Sequence, residues 1–491
     1  MTNFQTPQWV KDAVFYQIFP DRFAQSKPKI NYPGYWQSSN LETWEVMPTP
    51  QKYKGGNFWG IIDKLDYLQD LGINAIYFTP IFQSTCNHRY HTQDYYQIDP
   101  LLGGNFAFQE FLKQAHDRNI KVVLDGVFNH VGRGFFYFND ILENGPHSPW
   151  LDWFKIENWP LAPYDGSQPA NYVSWVNNRA LPQFNHDNPQ VKEYIMQVGE
   201  YWIQQGIDGW RLDVPNEVQT KGFWQEFRSR IKAINPEAYI VGEIWVDARQ
   251  WLDGTQFDGV MNYLFTESTM AFVGVDRILR QYVDKPTYEP YPPLSAEEYQ
   301  VKIQELLQLY PWEITLTQLN LLASHDTARL LTIAGGDINT VKLSTLLLLT
   351  FPGAPSIYYG DEVGLEGGLD PDCRRSFPSQ QYWNLDLLKY HQDLIHLRHQ
   401  YSALRTGDYQ MLSAQNGVYA FSRNLDQETV IIAVNSNIIS SSIVIKNISS
   451  SLPYRIVFGE GVYQLKETNS ITNLYLTLPC RQGIILANSI T

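Results

Sequence analysis

Three cysteines, Cys86, Cys373 and Cys480, are scattered over 491 residues without a CxxC pair. That pattern supports neither a disulfide framework nor a zinc ribbon, and reduced, packed thiols are expected. Charge is scarce: Asp, Glu, Lys and Arg make up 18% of the chain, and 37 basic against 51 acidic residues leave a net charge of -14. Such a chain lacks the electrostatic footprint of a nucleic-acid binder and any basic patch for anionic lipid, so a neutral partner is expected, with no nucleic acid and no membrane. Long apolar runs are missing too. LSTLLLLTFPGAPSIYY, from Leu343, is broken by Pro352 and Pro355 and falls short of the roughly 20 residues that span a bilayer. The opening MTNFQTPQWVKDAVFYQIFPDRF has no basic segment leading into an apolar core and a small-residue cleavage site, which predicts a cytoplasmic protein. Walker, GxSxG and HExxH strings are absent and no GxGxxG follows a strand, so no nucleotide or other cofactor is implied.

What is abundant is aromatic: 14% of residues, with 15 Trp and 31 Tyr, in a chain that is 44% hydrophobic and therefore neither disordered nor a coiled coil. Eight short β-rich runs recur in the first 360 residues: AVFYQIFP from Ala13, AIYFTP from Ala75, KVVLDGVF from Lys121, GWRLDV from Gly209, YIVGEIW from Tyr239, FDGVMN from Phe257, LNLLASHD from Leu319 and PSIYYGDE from Pro355. Between most of them lie amphipathic stretches of helical period, such as AFQEFLKQAHDRN and TKGFWQEFRSRIKAINP. Strands alternating with helices imply parallel pairing, and eight units predict a closed (β/α)8 barrel. The gap from Asp125 to Asp213 is about twice a normal unit. Its excess, rich in Trp, Pro, Gly and Asn, predicts an inserted subdomain over residues 131–188, dividing a barrel of residues 1–130 and 189–404. A second excess, Asp284 to Pro311, carries DKPTYEPYPPLSAEEY ahead of a helix. Past residue 405, runs such as VYAFSRN, TVIIAVNSN, SSIVIKN, YRIVFG, LYLTLP and GIILAN predict an all-β sandwich over 405–491, and SSSIVIKNISSS reads as strand and turn instead of a linker.

Active sites of such barrels lie at the carboxyl ends of the strands. Four of the eight runs end there in carboxylates: Asp125, Asp213, Glu243 and Asp326. Arg211, two residues before Asp213, shares its face and would hold that carboxylate ionised. His130 and His325 stand beside the first and last. Any one of these acids is as readily a helix cap. Four acids, an Arg and two His on one rim have no structural gain to offset the cost of gathering like charges, which favours function. Paired carboxyls, no cofactor and an aromatic surplus suit glycoside hydrolysis, with one acid protonated and the other ionised. Trp150, Trp153, Trp159 and Trp175 would line such a cleft or form the small core of the inserted segment. Cys86, His88 and His91 are close in sequence but offer three metal ligands with no fourth in register, so hydrogen bonding near Tyr90 is the preferred reading and no metal is expected.

DGVFNH, GWRLDVPNEV, GEIW and SHDTAR, in that order, resemble the four signature regions of the α-amylase family, glycoside hydrolase family 13, and the resemblance covers nearly the whole chain. LPQFN (181–185), NHRYHTQDYY and GGLDPDCRR resemble the cyclomaltodextrinase, neopullulanase and maltogenic amylase subfamily. The resemblance implies that Asp213 is the nucleophile, Glu243 the acid and base, and Asp326 a stabiliser of the distorted sugar. Arg211 would keep Asp213 charged, His130 and His325 would bond hydroxyls of the same sugar, and Tyr90 would stack beneath it. Asp125 and Asn129 would shape the third strand end, Asp370 and Arg374 would grip the next sugar, and Glu217 and Trp245 would face the acceptor side. A retaining mechanism requires carboxyls about 5 Å apart and a Glu243 raised in pKa by burial and by Asp213.

The subfamily's N-terminal β-domain has no counterpart ahead of Ala13, so dimerisation by that route is not expected and a more open cleft is. AQSKPKINYPG, from Ala24, is poor in calcium ligands, and Asn216 and Glu217 stand where calcium-dependent α-amylases carry a Lys-His pair. The activity implied is hydrolysis of α-1,4 and α-1,6 links in cyclomaltodextrins, malto-oligosaccharides, pullulan or branched dextrins, with some transglycosylation. A glucan-rearranging transferase or isomerase of the same family is the alternative. A non-catalytic partner subunit is disfavoured because Asp213 and Glu243 are both present.

Overall fold

The computed structural model describes residues 5–28, 40–283, 292–448, 453–468 and 471–488. Residues 29–34 of AQSKPKINYPG, 284–291 of the second excess and 449–451 of the Ser-rich run lie outside them. Eight parallel strands close a barrel in sequence order: β1 (Phe15–Ile18), β2 (Ala75–Phe78), β3 (Lys121–Gly126), β4 (Gly209–Leu212), β5 (Tyr239–Gly242), β6 (Gly259–Asn262), β7 (Leu319–Leu321) and β8 (Ala354–Tyr358), with β8 paired back to β1. Nearly every residue of these strands is buried. Helices cover the outer face and side chains fill the inside, so the strands read as unbroken apolar runs and not as alternation.

The helices follow local rules. Asn188 accepts the Gln190 N–H at 2.8 Å and Pro189 opens Pro189–Gln204, a cap followed by a residue preset for the first turn. Ser295 and Glu298 form a capping box ahead of Ala296–Leu309, inside the second excess. One unit departs from the expected alternation: no helix lies between β5 and β6, where the connection runs through turns and carries Trp245. No helix among the described residues is long and apolar enough to cross a membrane.

Two connections build the rim. After β2, an antiparallel hairpin of Phe82–Ser84 and Thr92–Ile98 carries Tyr90 near its turn. After β3, an irregular segment is held by isolated bridges His130–Gln183, Phe154–Phe184, Ile156–Tyr172 and Ser174–Pro182. Within it Trp150 stacks on Tyr137 (4.0 Å between centroids) and Trp153 meets both rings edge-on, forming a small core. Trp175 lies instead over His130, at 5.1 Å and 16°.

The C-terminal strands are β9 (Asp408–Gln415), β10 (Val418–Leu425), β11 (Glu428–Asn435), β12 (Ser441–Ile445), β13 (Tyr454–Gly459), β14 (Val462–Thr468), β15 (Ile471–Leu478) and β16 (Gly483–Asn488). They form a five-stranded sheet, β9-β10-β11-β16-β13, and a three-stranded sheet, β12-β15-β14. Alternation along β10 shows why: Tyr419 and Phe421 join the barrel's core, while Val418 and Ala420 join the sandwich interior with Ile443 and Leu476. The middle strands of the larger sheet, β10, β11 and β16, are therefore buried on both faces. β9 and β14, absent from the sequence-based expectation, are sheet edges, and β9 is largely exposed, so neither needs an apolar run.

Arg423 fastens this sheet to the barrel. Fully buried, it donates to the carbonyls of Thr350, Leu404, Gly407 and Asp408 at 2.8–2.9 Å, with Thr350 closing the helix Ile338–Thr350, where the dipole is negative. Replacing Arg423 by Met removes the side-chain donor of the Thr350, Gly407 and Asp408 carbonyls, the Leu404 carbonyl keeping Arg398 Nη1 at 2.9 Å, and is expected to lower the unfolding free energy by about 2–4 kcal/mol, measured by urea denaturation; an unchanged midpoint would refute the role of the staple.

Candidate active site

The carboxyl ends of β3, β4 and β5 deliver three acids to one guanidinium. Arg211, at 0% exposure, reaches both oxygens of Asp125 through Nη1 (2.9 and 3.0 Å) and, through the same nitrogen, Asp213 Oδ1 (3.0 Å). Its Nη2 lies 2.9 Å from Glu243 Oε2, an ion-pair distance without hydrogen-bond alignment. Asp213 and Glu243 thus stand on the two nitrogens of one planar group, at 7% and 6% exposure. Val214, next to Asp213, has a φ of +35°, a left-handed conformation costly for a β-branched residue, and from it donates its N–H to Glu243 Oε2 at 3.2 Å.

Arg211, expected to keep Asp213 charged, serves two further acids. It is bidentate on Asp125 and shared by three acids. Asp125, expected to shape the strand end, is a full member of the cluster, pushed up to about 6 by burial. Burial and the facing carboxyl of Glu243 push Asp213 well above the usual carboxylate range against the pull of Arg211. Burial also raises Glu243, opposed by Arg211, and the anion of Asp326 adds to the rise, while the Asp213 and Glu243 carboxyls repel each other. Glu243 further accepts from Trp245 Nε1 at 3.1 Å, and Trp245 lies flat on Tyr263 at 3.6 Å and 6°. Trp245 therefore touches the acid itself.

Across the rim, His325 Nε2 is 3.2 Å from Asp326 Oδ2, and Tyr90 stacks on His325 at 7° while its hydroxyl reaches Asp125 Oδ2 at 3.0 Å and meets His325 Nε2. Asp326 is the most open of the four acids, its side chain 30% exposed. Arg374 donates to the His325 carbonyl (3.0 Å), pairs with Asp370 (2.9 Å) and lies 3.6 Å from Asp326. His130 and His325 are both buried and held neutral, His130 pushed down to about 3. Asn129 Nδ2 approaches His130 Nδ1 at 3.3 Å and takes Gln183 Nε2 on its Oδ1 at 2.8 Å, which ties LPQFN to the third strand end. That leaves His130 Nε2 buried without a protein partner among the described residues, a donor awaiting a ligand. Glu217 is exposed on the turn Pro215–Glu217, outside these contacts.

The ligand atoms of Cys86, His88 and His91 lie within 4.8 Å of one another. His88 Nδ1 already faces Cys86 Sγ (3.4 Å) and the Tyr90 N–H (3.2 Å), and Arg89, Arg133 and Arg374 make the surroundings positive. Those contacts suit hydrogen bonding better than a divalent cation. Sequence reasoning missed Tyr77, whose hydroxyl is 3.4 Å from Asp125, as well as Tyr263 and Gln17. Of these, Gln17 carries a readable signal: a lone amide in the middle of a buried strand.

Comparison with known proteins agrees with this geometry. The family description "Alpha amylase, catalytic domain" matches residues 17–381, and "Alpha-amylase C-terminal domain" matches 407–486. A cyclomaltodextrinase from Bacillus sp is 44% identical over 88% of this chain and 74% of its own length. Neopullulanase 2 from Thermoactinomyces vulgaris is 42% identical over 88% of this chain and 71% of its own. The crystal structure of a debranching enzyme from Nostoc punctiforme is 64% identical, superimposes with a TM-score of 0.93, and covers 99% of this chain and 100% of that one. The chain belongs to the α-amylase family of glycoside hydrolases.

Proposed function

We propose that this protein is a retaining hydrolase of α-glucans, cleaving α-1,4 and α-1,6 bonds in cyclomaltodextrins, malto-oligosaccharides, pullulan and branched dextrins. One observation carries the reading: Asp213 and Glu243 approach the two nitrogens of one buried guanidinium, close enough to flank a single glycosidic bond. Asp213 attacks the anomeric carbon while Glu243 gives its proton to the departing sugar oxygen. Glu243 then takes a proton from water, which releases the sugar from Asp213. Asp326, His325 and His130 bond hydroxyls of the reacting sugar, Tyr90 lies beneath it, and Asp370 with Arg374 grips the next sugar outward. Trp245 orients Glu243. Residues 131–188 form one wall of the cleft, and Glu217 with Trp245 borders the acceptor side.

The end-to-end match to the Nostoc punctiforme debranching enzyme supports branch-point cleavage as the favoured reaction. The cyclomaltodextrinase and neopullulanase relatives support ring opening and α-1,4 cleavage. A relative named intracellular maltogenic amylase, from Bacillus subtilis, supports a cytoplasmic site of action.

A product profile from β-cyclodextrin, pullulan and a branched malto-oligosaccharide tests this. Release of a linear chain from the branched substrate, faster than ring opening, is expected. Products formed only by transfer to sugar acceptors, with none from water, would place the protein among the rearranging transferases instead. Asp213→Asn should lower kcat by more than about 10³-fold with the fold intact, and near-normal turnover would sink the assignment.

With every carboxyl ionised, Asp125, Asp213 and Glu243 outnumber Arg211 by two charges in a buried setting, so the cluster retains a proton above the ordinary carboxylate range. A protonated-carboxyl infrared band should persist at pH 6 and vanish as pH rises through the raised pKa. Glu243→Gln removes one carboxyl, and with it one excess negative charge, from around Arg211 and should shift the disappearance of the band to lower pH. A band already absent at pH 5.5 in the wild type would refute the shared proton.

A further inference from the structure

Gln17 is the one polar side chain in β1, at 2% exposure between apolar neighbours. Its Nε2 lies 2.8 Å from His325 Nδ1. On the other side of the ring, Nε2 meets the Tyr90 hydroxyl and lies 3.2 Å from Asp326 Oδ2. The Tyr90 hydroxyl in turn is 3.0 Å from Asp125 Oδ2, and both Asp125 oxygens face Arg211 Nη1. Gln17, His325, Tyr90, Asp125 and Arg211 therefore form one hydrogen-bonded chain across the barrel mouth, from β1 to β4.

The direction of every bond in that chain follows from its far end. Arg211 can only donate, and a carboxylate held by it can only accept. The Tyr90 O–H must then donate to Asp125, which leaves its oxygen to accept from His325 Nε2–H. A neutral ring with its hydrogen on Nε2 has a lone pair on Nδ1, and the Gln17 amide supplies the N–H that this lone pair accepts. A carboxylate in place of the amide would reverse the demand, calling for a hydrogen on Nδ1 and stabilising the doubly protonated ring.

We propose that Gln17 is a positioning residue for the reaction: its amide holds His325 as the neutral imidazole with hydrogen on Nε2, the donor that faces Asp326 and the substrate sugar. Neutrality matters because the transition state carries positive charge on the sugar, and an imidazolium beside it would repel that charge. The groups facing His325 are Tyr90 and His88 from the hairpin after β2, Asp326 beside it, Arg211 from β4, Arg374 and Cys373 from the segment after β8, and Asp125 through Tyr90. Burial and the two guanidiniums already disfavour the charged ring, and an uncharged donor at Nδ1 preserves that balance.

The kinetic consequence rests on the proposed glucan hydrolysis, whereas the tautomer does not, so the test reads both. In full-length protein labelled with ¹⁵N-histidine, the His325 signals are those lost in His325→Asn. They should report hydrogen on Nε2, an acceptor Nδ1, and no titration from pH 6 to 8. Gln17→Glu should bring a titrating imidazolium into that range and add an ionisation to the activity profile. It should also cut kcat by at least about tenfold with KM changed less than about threefold, the split expected for an effect confined to the transition state. Recovery above the new pKa should be only partial, because the hydrogen then remains on Nδ1. Gln17→Met, uncharged and without a donor, should leave His325 neutral and the pH profile unshifted while its Nδ1 signal moves away from the hydrogen-bonded value. Hydrogen on Nδ1 in the wild type, or an unmoved Nδ1 signal in Gln17→Met, overturns the proposal, as does a neutral His325 with wild-type pH dependence in Gln17→Glu. Signals as expected in a protein that does not cleave glucans would overturn the functional reading and leave the tautomer assignment standing.

Discussion

The placement of one guanidinium inside a closed barrel governs this structure. Arg211 cannot be hydrated there, so it must find its counter-charges among side chains, and the ends of β3, β4 and β5 supply them. The arrangement binds three neighbouring strand ends into one unit. It also leaves more negative charge than one cation can neutralise, and this excess makes the site reactive. A buried ion pair in balance would be inert structure; three acids around one cation keep a proton in play and an anion available. The strained backbone of Val214 belongs to the same economy of space, since it turns an N–H toward Glu243 while Asp213 faces the guanidinium.

Much of this was legible from sequence for a definite reason. Barrel strands are buried on both faces, so KVVLDGVF and GWRLDV announce themselves as apolar runs, and an acid at the end of such a run stands out. The same physics hides other features. Whether Tyr77 points into the barrel depends on strand tilt and register, which composition does not carry. The flat stacking of Trp245 on Tyr263 joins the connection after β5 to the residue just beyond β6, a contact between residues 18 positions apart that local spacing does not announce. The sheet edges β9 and β14 escaped notice because an edge is tolerant of polar residues on both faces.

Electrostatics also behaved differently from a pairwise reading. An Arg two residues before an Asp predicts that the two share a face; in three dimensions the same nitrogen serves Asp125 and Asp213 together. Spacing along a strand predicts which side chains share a face, but not how many neighbours from adjacent strands will claim the same donor. His130 shows the complementary case. Its partners Asn129 and Trp175 come from the strand end and the inserted segment, and they leave one buried nitrogen without a protein partner among the described residues.

The middle strands of the five-stranded sheet, buried against the barrel on one face and against the smaller sheet on the other, change what a domain boundary means in this chain. A cut near residue 405 would divide a continuous hydrophobic interior, leaving Tyr419, Phe421 and Ile432 without their partners and the carbonyl at the end of Ile338–Thr350 bare. The cleft rests on the same interior, for Phe82 and Tyr95 of the hairpin after β2 and Phe135, Phe154 and Phe184 of the segment after β3 belong to the barrel's buried cluster. A change of side-chain volume at the foot of either rim segment is therefore felt by the packing that joins barrel and sandwich.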